Sequence, residues 1–123
     1  MRFLAVDDEA DTLLLVRANV HAWGHDCLVA STAAEALALL ASPSARPDVL
    51  LLDVAMPGTD GPALLREVRA SGHEPPVVVL VSAIAPEELE AVALGLGVEW
   101  LSKPFTAEAF REKMRAVTAG AVS

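Results

Sequence analysis

The run Val77-Val78-Val79-Leu80-Val81 constrains the fold more than any other stretch of the chain. It is continuous, apolar and rich in β-branched residues, which reads as a strand. It shows no polar alternation, so both of its faces are buried, as in a parallel sheet covered by helices on both sides. Three other short apolar runs repeat the theme, Phe3 to Val6, Cys27 to Ala30 and Val49 to Leu52, and Val98-Glu99-Trp100-Leu101 reads as a short fifth strand.

Helical patterns fill the gaps between them. Leu13, Val16, Val20 and Trp23 recur at spacings of three and four, one face of an amphipathic helix, and Gly24 is its stop. Thr32 and Glu35 are spaced as a capping box for a second helix running to about Leu40. Ser42 to Pro47 is a loop by composition. Pro62 suits the first turn of a third helix carrying Leu64, Leu65 and Val68. Pro86, Glu87 and Glu88 open a fourth, which Gly95 and Gly97 end. Thr106 caps a fifth, with Ala109, Phe110, Met114 and Val117 on its inner face. A strand–helix unit repeated five times with short links implies an α/β fold with a parallel sheet. The 123 residues suffice for one domain, 1–123, with no linker or second domain visible.

The strand ends carry the chemistry. The first apolar run ends in Asp7-Asp8-Glu9, the third in Asp53, the fourth in Ser82, and the fifth near Lys103-Pro104. In a parallel sheet all of these ends lie on one edge, where open α/β sheets carry their sites. Converging carboxylates repel one another unless a cation sits among them. An oxygen-only ligand set without His or Cys suits a hard ion, Mg²⁺ first. With the ammonium of Lys103 and the hydroxyl of Ser82, the set is suited to a phosphoryl group and its transfer to Asp53. Each residue alone has a plainer reading: Asp7-Asp8-Glu9 as a helix cap, Asp53 as a turn, Ser82 as a loop residue, Lys103 as a solvated lysine or a structural partner for a buried acid. Asp60-Gly61 reads as turn chemistry and a helix start.

Composition narrows the function classes. Apolar residues make up 54% of the chain, which argues against disorder, yet no run approaches the roughly 18 residues of a membrane span. The N-terminal stretch lacks a signal-peptide pattern. A single cysteine, Cys27, fits a reducing cytosol and reads as a small buried hydrophobe, so the expected location is cytoplasmic. With 9 basic and 17 acidic residues, net charge −8, and no basic cluster, the chain is a poor nucleic-acid binder. His21, His25 and His73 do not cluster and read as surface residues; Trp23, Met56 and Phe105 read as packing.

Four motifs in order, Val6-Asp7-Asp8-Glu9, Leu52-Asp53 with Met56-Pro57-Gly58-Thr59-Asp60-Gly61, Val81-Ser82-Ala83 and Trp100-Leu101-Ser102-Lys103-Pro104-Phe105, resemble those of response-regulator receiver domains. The resemblance covers essentially the whole chain. It implies a flavodoxin-like doubly wound sheet of order 2-1-3-4-5. It implies that Asp53 accepts a phosphoryl group from a sensor histidine kinase or histidine phosphotransfer protein. Mg²⁺ would be held by Asp8, Asp53 and the Ala55 carbonyl, with Asp7 acting through water. Lys103, Ser82 and the backbone N–H groups of Ala55 and Ala83 would cradle the phosphoryl oxygens, and the Lys103–Pro104 bond would be cis.

Ser82 and Trp100 occupy the positions of the family's switch pair, which reshapes the face of helix four, strand five and helix five toward a downstream protein. Trp stands where Tyr or Phe is commoner, and Trp100 reads equally as core or interface. The loop before it is one residue shorter than usual. In that family the positions two beyond Asp53 and Ser82 flank the path of attacking water; here they are Ala55 and Ile84, neither able to orient water, which implies slow self-dephosphorylation. Homodimerisation through the fourth and fifth helices stays open. No enzyme activity is expected beyond the chain's own phosphorylation and dephosphorylation. The competing readings are a phosphorylation-independent interaction module on the same fold, and a phospho-aspartate hydrolase. Against the second, Ala55 stands where such hydrolases carry another Asp.

Overall fold

The computed structural model of the chain describes residues 1–58 and 60–119. Its strands are β1 (Arg2–Val6), β2 (Asp26–Ala30), β3 (Val49–Leu52), β4 (Val77–Ser82) and β5 (Glu99–Ser102). Its helices are α1 (Ala10–Ala22), α2 (Ala33–Ala41), α3 (Gly61–Ser71), α4 (Pro86–Leu96) and α5 (Ala107–Thr118). Strand and helix alternate throughout, and the sheet is parallel in the order β2-β1-β3-β4-β5.

Strand periodicity divides the core in two. Leu4, Val6, Leu50, Leu52, Val78 and Leu80 face α2, α3 and α4, meeting Ala36, Leu40, Leu64, Leu65, Val68, Leu89 and Ala93. Their neighbours Phe3, Ala5, Val49, Leu51, Val79 and Val81 face α1 and α5, meeting Leu13, Val16, Val20, Phe110 and Met114. Both faces of β4 are therefore covered, as its unbroken apolar run requires. Cys27 is buried in the second cluster, and burial pushes its thiol up to about 11.

Local signals set the helix ends. Thr32, Asp60 and Thr106 each accept a backbone N–H from three residues onward, at 3.1, 2.6 and 3.0 Å. Each such cap stabilises its helix by about 1 kcal/mol. The second arm of the expected capping box lands one residue early: Glu35 accepts from the N–H and the hydroxyl of Ser31. Helix α4 runs through Gly95 and stops only at Gly97, whose φ of +69° gives the left-handed cap. A left-handed turn is what ends a helix cheaply at glycine, and Gly95, inside α4, does not make one. His25 also departs from expectation. It is half-buried, its ring edge-on to Trp23 with centroids 4.9 Å apart and near Phe3 at 6.0 Å.

Candidate functional site at the carboxyl edge of the sheet

The register decides which strand ends meet. Val6 pairs with Leu52, Leu52 with Leu80, and Leu80 with Trp100, so one row crosses four strands. The residues just past that row emerge side by side. The Asp7 N–H donates to the Ala30 carbonyl at 3.1 Å and the Asp53 N–H to the Val6 carbonyl at 3.0 Å, which holds both backbones in the ladder. The Lys103 N–H donates to the Ser82 carbonyl at 2.8 Å, fixing the start of the β5–α5 loop against the end of β4. The Lys103–Pro104 bond is cis, as expected. Phe105 stacks on Phe110 at 5.5 Å and ties the same loop to α5.

The side chains converge. The Lys103 ammonium donates to Asp7 Oδ2 at 2.6 Å, to Glu9 Oε1 at 3.2 Å and to Asp53 Oδ2 at 3.3 Å. The side chains of Lys103, Asp7 and Asp53 are only 10%, 5% and 6% exposed. Of the two plainer readings of Lys103, the structure bears out the partner of buried acids and not the solvated lysine. Burial raises Asp7 above the ordinary carboxylate range; the Lys103 hydrogen bond and the Glu9 N–H partly offset this, and the Asp53 charge adds to it. Burial by itself would lower Lys103, but the bond to Asp7 and the charge of Asp53 prevail and raise it, so it stays an ammonium.

Among the described residues, Asp7, Asp8 and Asp53 form a group whose carboxylate oxygens lie within 4.8 Å of one another. Asp8 is exposed and the other two are buried, which gives a cation a way in and a buried seat. The donor set is oxygen alone, so it fits a hard divalent ion. Asp53 Oδ1 accepts from the Ala55 N–H at 3.2 Å, and Ser82 Oγ accepts from the Ile84 N–H at 3.4 Å. A cleft of about 360 Å³ opens over them, lined by Asp8, Glu9, Asp53, Ala55, Ser82, Ala83, Ile84 and Lys103. Every residue expected at a phosphoacceptor site lines this cleft or, like Asp7, lies against it. Helix capping by the acidic run is not what is found: Glu9 occupies the N-cap of α1 and makes no side-chain cap bond.

Residues 3–115 match the response regulator receiver domain family. The chain belongs to that family. It is a receiver domain of a response regulator, the module of two-component signalling. The receiver is 35% identical over 117 residues to the response regulator MprA of Mycobacterium avium and 34% identical to MprA of Mycobacterium leprae. It covers 95% of its own length in both alignments but only 50% of either relative. It also resembles solved structures. Chemotaxis protein CheY4 of Vibrio cholerae matches with a TM-score of 0.83 and 27% identity, over 94% of the receiver and 97% of that chain. The Francisella response regulator 1452 receiver domain matches with a TM-score of 0.84 and 26% identity, over 98% of each. NtrX from Brucella abortus gives 0.86 and 29%, over 98% of the receiver and 27% of that chain. No helix among the described residues is long and apolar enough to cross a membrane.

Two participants escaped sequence reasoning. Glu9, read only as part of a helix cap, joins Lys103 across the site. Gly61, read as turn chemistry and a helix start, does open α3 but also has no room for a side chain: a Cβ there would lie 2.3 Å from the Asp53 carbonyl oxygen. Its N–H donates to the Val54 carbonyl at 2.8 Å, so α3 starts directly against the segment that carries Asp53. Thr59 of the same motif lies outside the described residues.

Trp100 sits apart from the acids. It is half-buried on β5, packed against the Leu80 cluster, with the Lys113 ammonium 5.9 Å from its ring centroid. Lys113 in turn pairs with Glu99 at 3.3 Å.

Proposed function

We propose that Asp53 is the phosphoacceptor of this receiver. One observation carries the reading: a buried carboxylate at the floor of a cleft shares a lysine ammonium with Asp7 and stands within a group of three acids. A carboxylate oxygen of Asp53 attacks the phosphorus of a phosphohistidine on a sensor kinase or phosphotransfer protein. The oxygen–phosphorus bond forms, the nitrogen–phosphorus bond breaks, and the leaving imidazole keeps its electron pair and takes up a proton.

Mg²⁺ would be held by Asp8, Asp53 and the Ala55 carbonyl, with Asp7 acting through water. When bound, it supplies positive charge that neutralises the acids and the incoming phosphoryl oxygens. The chain's own groups do the rest. Lys103 counters charge on the phosphoryl oxygens, and the Ala55 and Ala83 N–H groups and the Ser82 hydroxyl donate to them. Ser82 Oγ is buried, so reaching the phosphoryl group draws β4 and its loop toward Asp53. Trp100 lies on the register row of Leu80, two residues before Ser82, and would turn inward into the space that Ser82 vacates. The face of α4, β5 and α5 would then change shape for a downstream protein, a population shift biased by charge at Asp53. Ala55 and Ile84 offer attacking water no polar side chain, so the adduct would be long-lived.

The test is intact mass after a small phosphodonor with Mg²⁺. One phosphoryl group should add to the chain, should not add in Asp53→Asn, and should persist well beyond seconds. An unmodified chain, indifferent to Mg²⁺ and to beryllofluoride, would instead favour an interaction module that works without phosphorylation.

A further inference from the structure

Lys103 is shared among three carboxylates, and the three are not equivalent. Asp7 and Asp53 belong, with Asp8, to the group whose oxygens can converge on a cation; Glu9 does not. A cation on that group and the Lys103 ammonium draw on the same carboxylates and repel one another. Glu9, at 3.2 Å, is the acid that a bound cation would leave to the lysine.

The backbone holds Glu9 ready for this. Its N–H donates to Asp7 Oδ1 at 2.9 Å, and it occupies the N-cap of α1. Ser, Thr, Asp or Asn would stabilise that position, and the Glu9 carboxylate makes no cap bond at all. It reaches across the mouth of the cleft instead, exposed on its outer side, to the lysine. A lysine stem is long and flexible, so an ammonium released by Asp7 and Asp53 swings to solvent unless something tethers it.

We propose that Glu9 is a positioning residue. With a divalent cation on the acids, it keeps the Lys103 ammonium at the cleft mouth, within reach of a phosphoryl group on Asp53. This rests on the phosphoacceptor reading and adds to it the group that holds the lysine in the loaded site.

The test uses the whole chain and its variants Glu9→Gln and Glu9→Asp, with Mg²⁺ and then beryllofluoride titrated by calorimetry. For Glu9→Gln, Mg²⁺ affinity should stay unchanged within error, while beryllofluoride affinity at saturating Mg²⁺ should fall about twofold to fivefold, the upper range of an exposed ion pair. Glu9→Asp should recover part of that loss. The ¹⁵N signal of the Lys103 ammonium in the Mg²⁺-loaded chain should broaden away in Glu9→Gln, a change that a role confined to the helix end would not produce. Tighter beryllofluoride binding by Glu9→Gln would overturn the proposal, since Glu9 would then only compete with the phosphoryl group for Lys103. So would equal weakening of both ligands, which would make Glu9 part of the cation's field. So would no change in either. If the parent chain binds no beryllofluoride, the phosphoacceptor reading itself falls; if only the variants behave like the parent, Glu9 alone loses its role.

Discussion

The two edges of the sheet treat charge in opposite ways. At the amino edge, Arg2 donates its backbone N–H to Asp48 Oδ2 at 2.8 Å and its guanidinium to the carbonyls of Ser44 and Ala45 at 2.8 and 2.7 Å. Asp48 returns its N–H to the Arg2 carbonyl at 2.7 Å. Donors meet acceptors there, and the charges finish the ladder. At the carboxyl edge, one ammonium serves Asp7, Glu9 and Asp53, two of them buried. The difference separates a charge that completes the structure from three carboxylates left to share one ammonium. Sequence composition makes the two edges look alike, since each carries Asp and a basic residue. Only the ratio of acids to cations around one point distinguishes them.

The strongest way to break the comparison is Lys103→Ala. It leaves Asp7 and Asp53 buried without their cation, and losing one side of a buried pair costs about 3 kcal/mol or more. Denaturant unfolding without divalent ions should show that loss, and added Mg²⁺ should restore most of it. A variant as stable as the parent without Mg²⁺ would mean that the carboxyl edge holds no excess charge.

Gly61→Ala should follow. Its Cβ would be 2.3 Å from the Asp53 carbonyl, so backbone must move, at about 2 kcal/mol for an overpacked contact. The yield of phosphoryl adduct should fall with the stability, because the displaced segment is the one that carries Asp53. Full adduct yield in a destabilised variant would show that this close approach serves only the helix.

The smallest effect belongs to the amino edge. Arg2→Ala removes hydrogen bonds to exposed or half-buried acceptors, worth about 1 kcal/mol together. It should leave Mg²⁺ affinity and adduct yield within about twofold of the parent. A large loss of either would join the two edges into one electrostatic unit and end the distinction between them.

Much of this was legible in the chain itself, for reasons that differ residue by residue. The unbroken run of β4 and the spacing of Leu13, Val16 and Val20 gave strand and helix through periodicity. Thr32, Asp60 and Thr106 marked helix starts because an N-cap needs an oxygen within three residues, a local requirement. Gly95 and Gly97 look identical in sequence, and only the left-handed φ of Gly97 separates an interior glycine from a stop. His25 looked like a surface residue because nothing local brings Phe3 beside it; the pairing of β1 with β2 does. Glu9 could have been noticed as a poor N-cap residue, but its partner is 94 residues away. Gly61 carried no signal of how closely the Asp53 carbonyl approaches.

The sequence by itself determined which residues lie in strands, which end them and which helices begin where, because these depend on neighbours within a few positions. It placed Asp7, Asp8, Asp53, Ser82 and Lys103 at strand ends, while the strand order came from likeness to a family and not from periodicity. The tertiary structure decided what those ends do to one another. Pairing β3 between β1 and β4, and β5 beside β4, set Lys103 among Asp7, Glu9 and Asp53 and left Trp100 half-buried beside Lys113. The physical reason is range. Backbone preference acts over one turn or one strand, whereas the charge balance of the cleft is a sum over side chains from three strand ends that meet only when the sheet has formed.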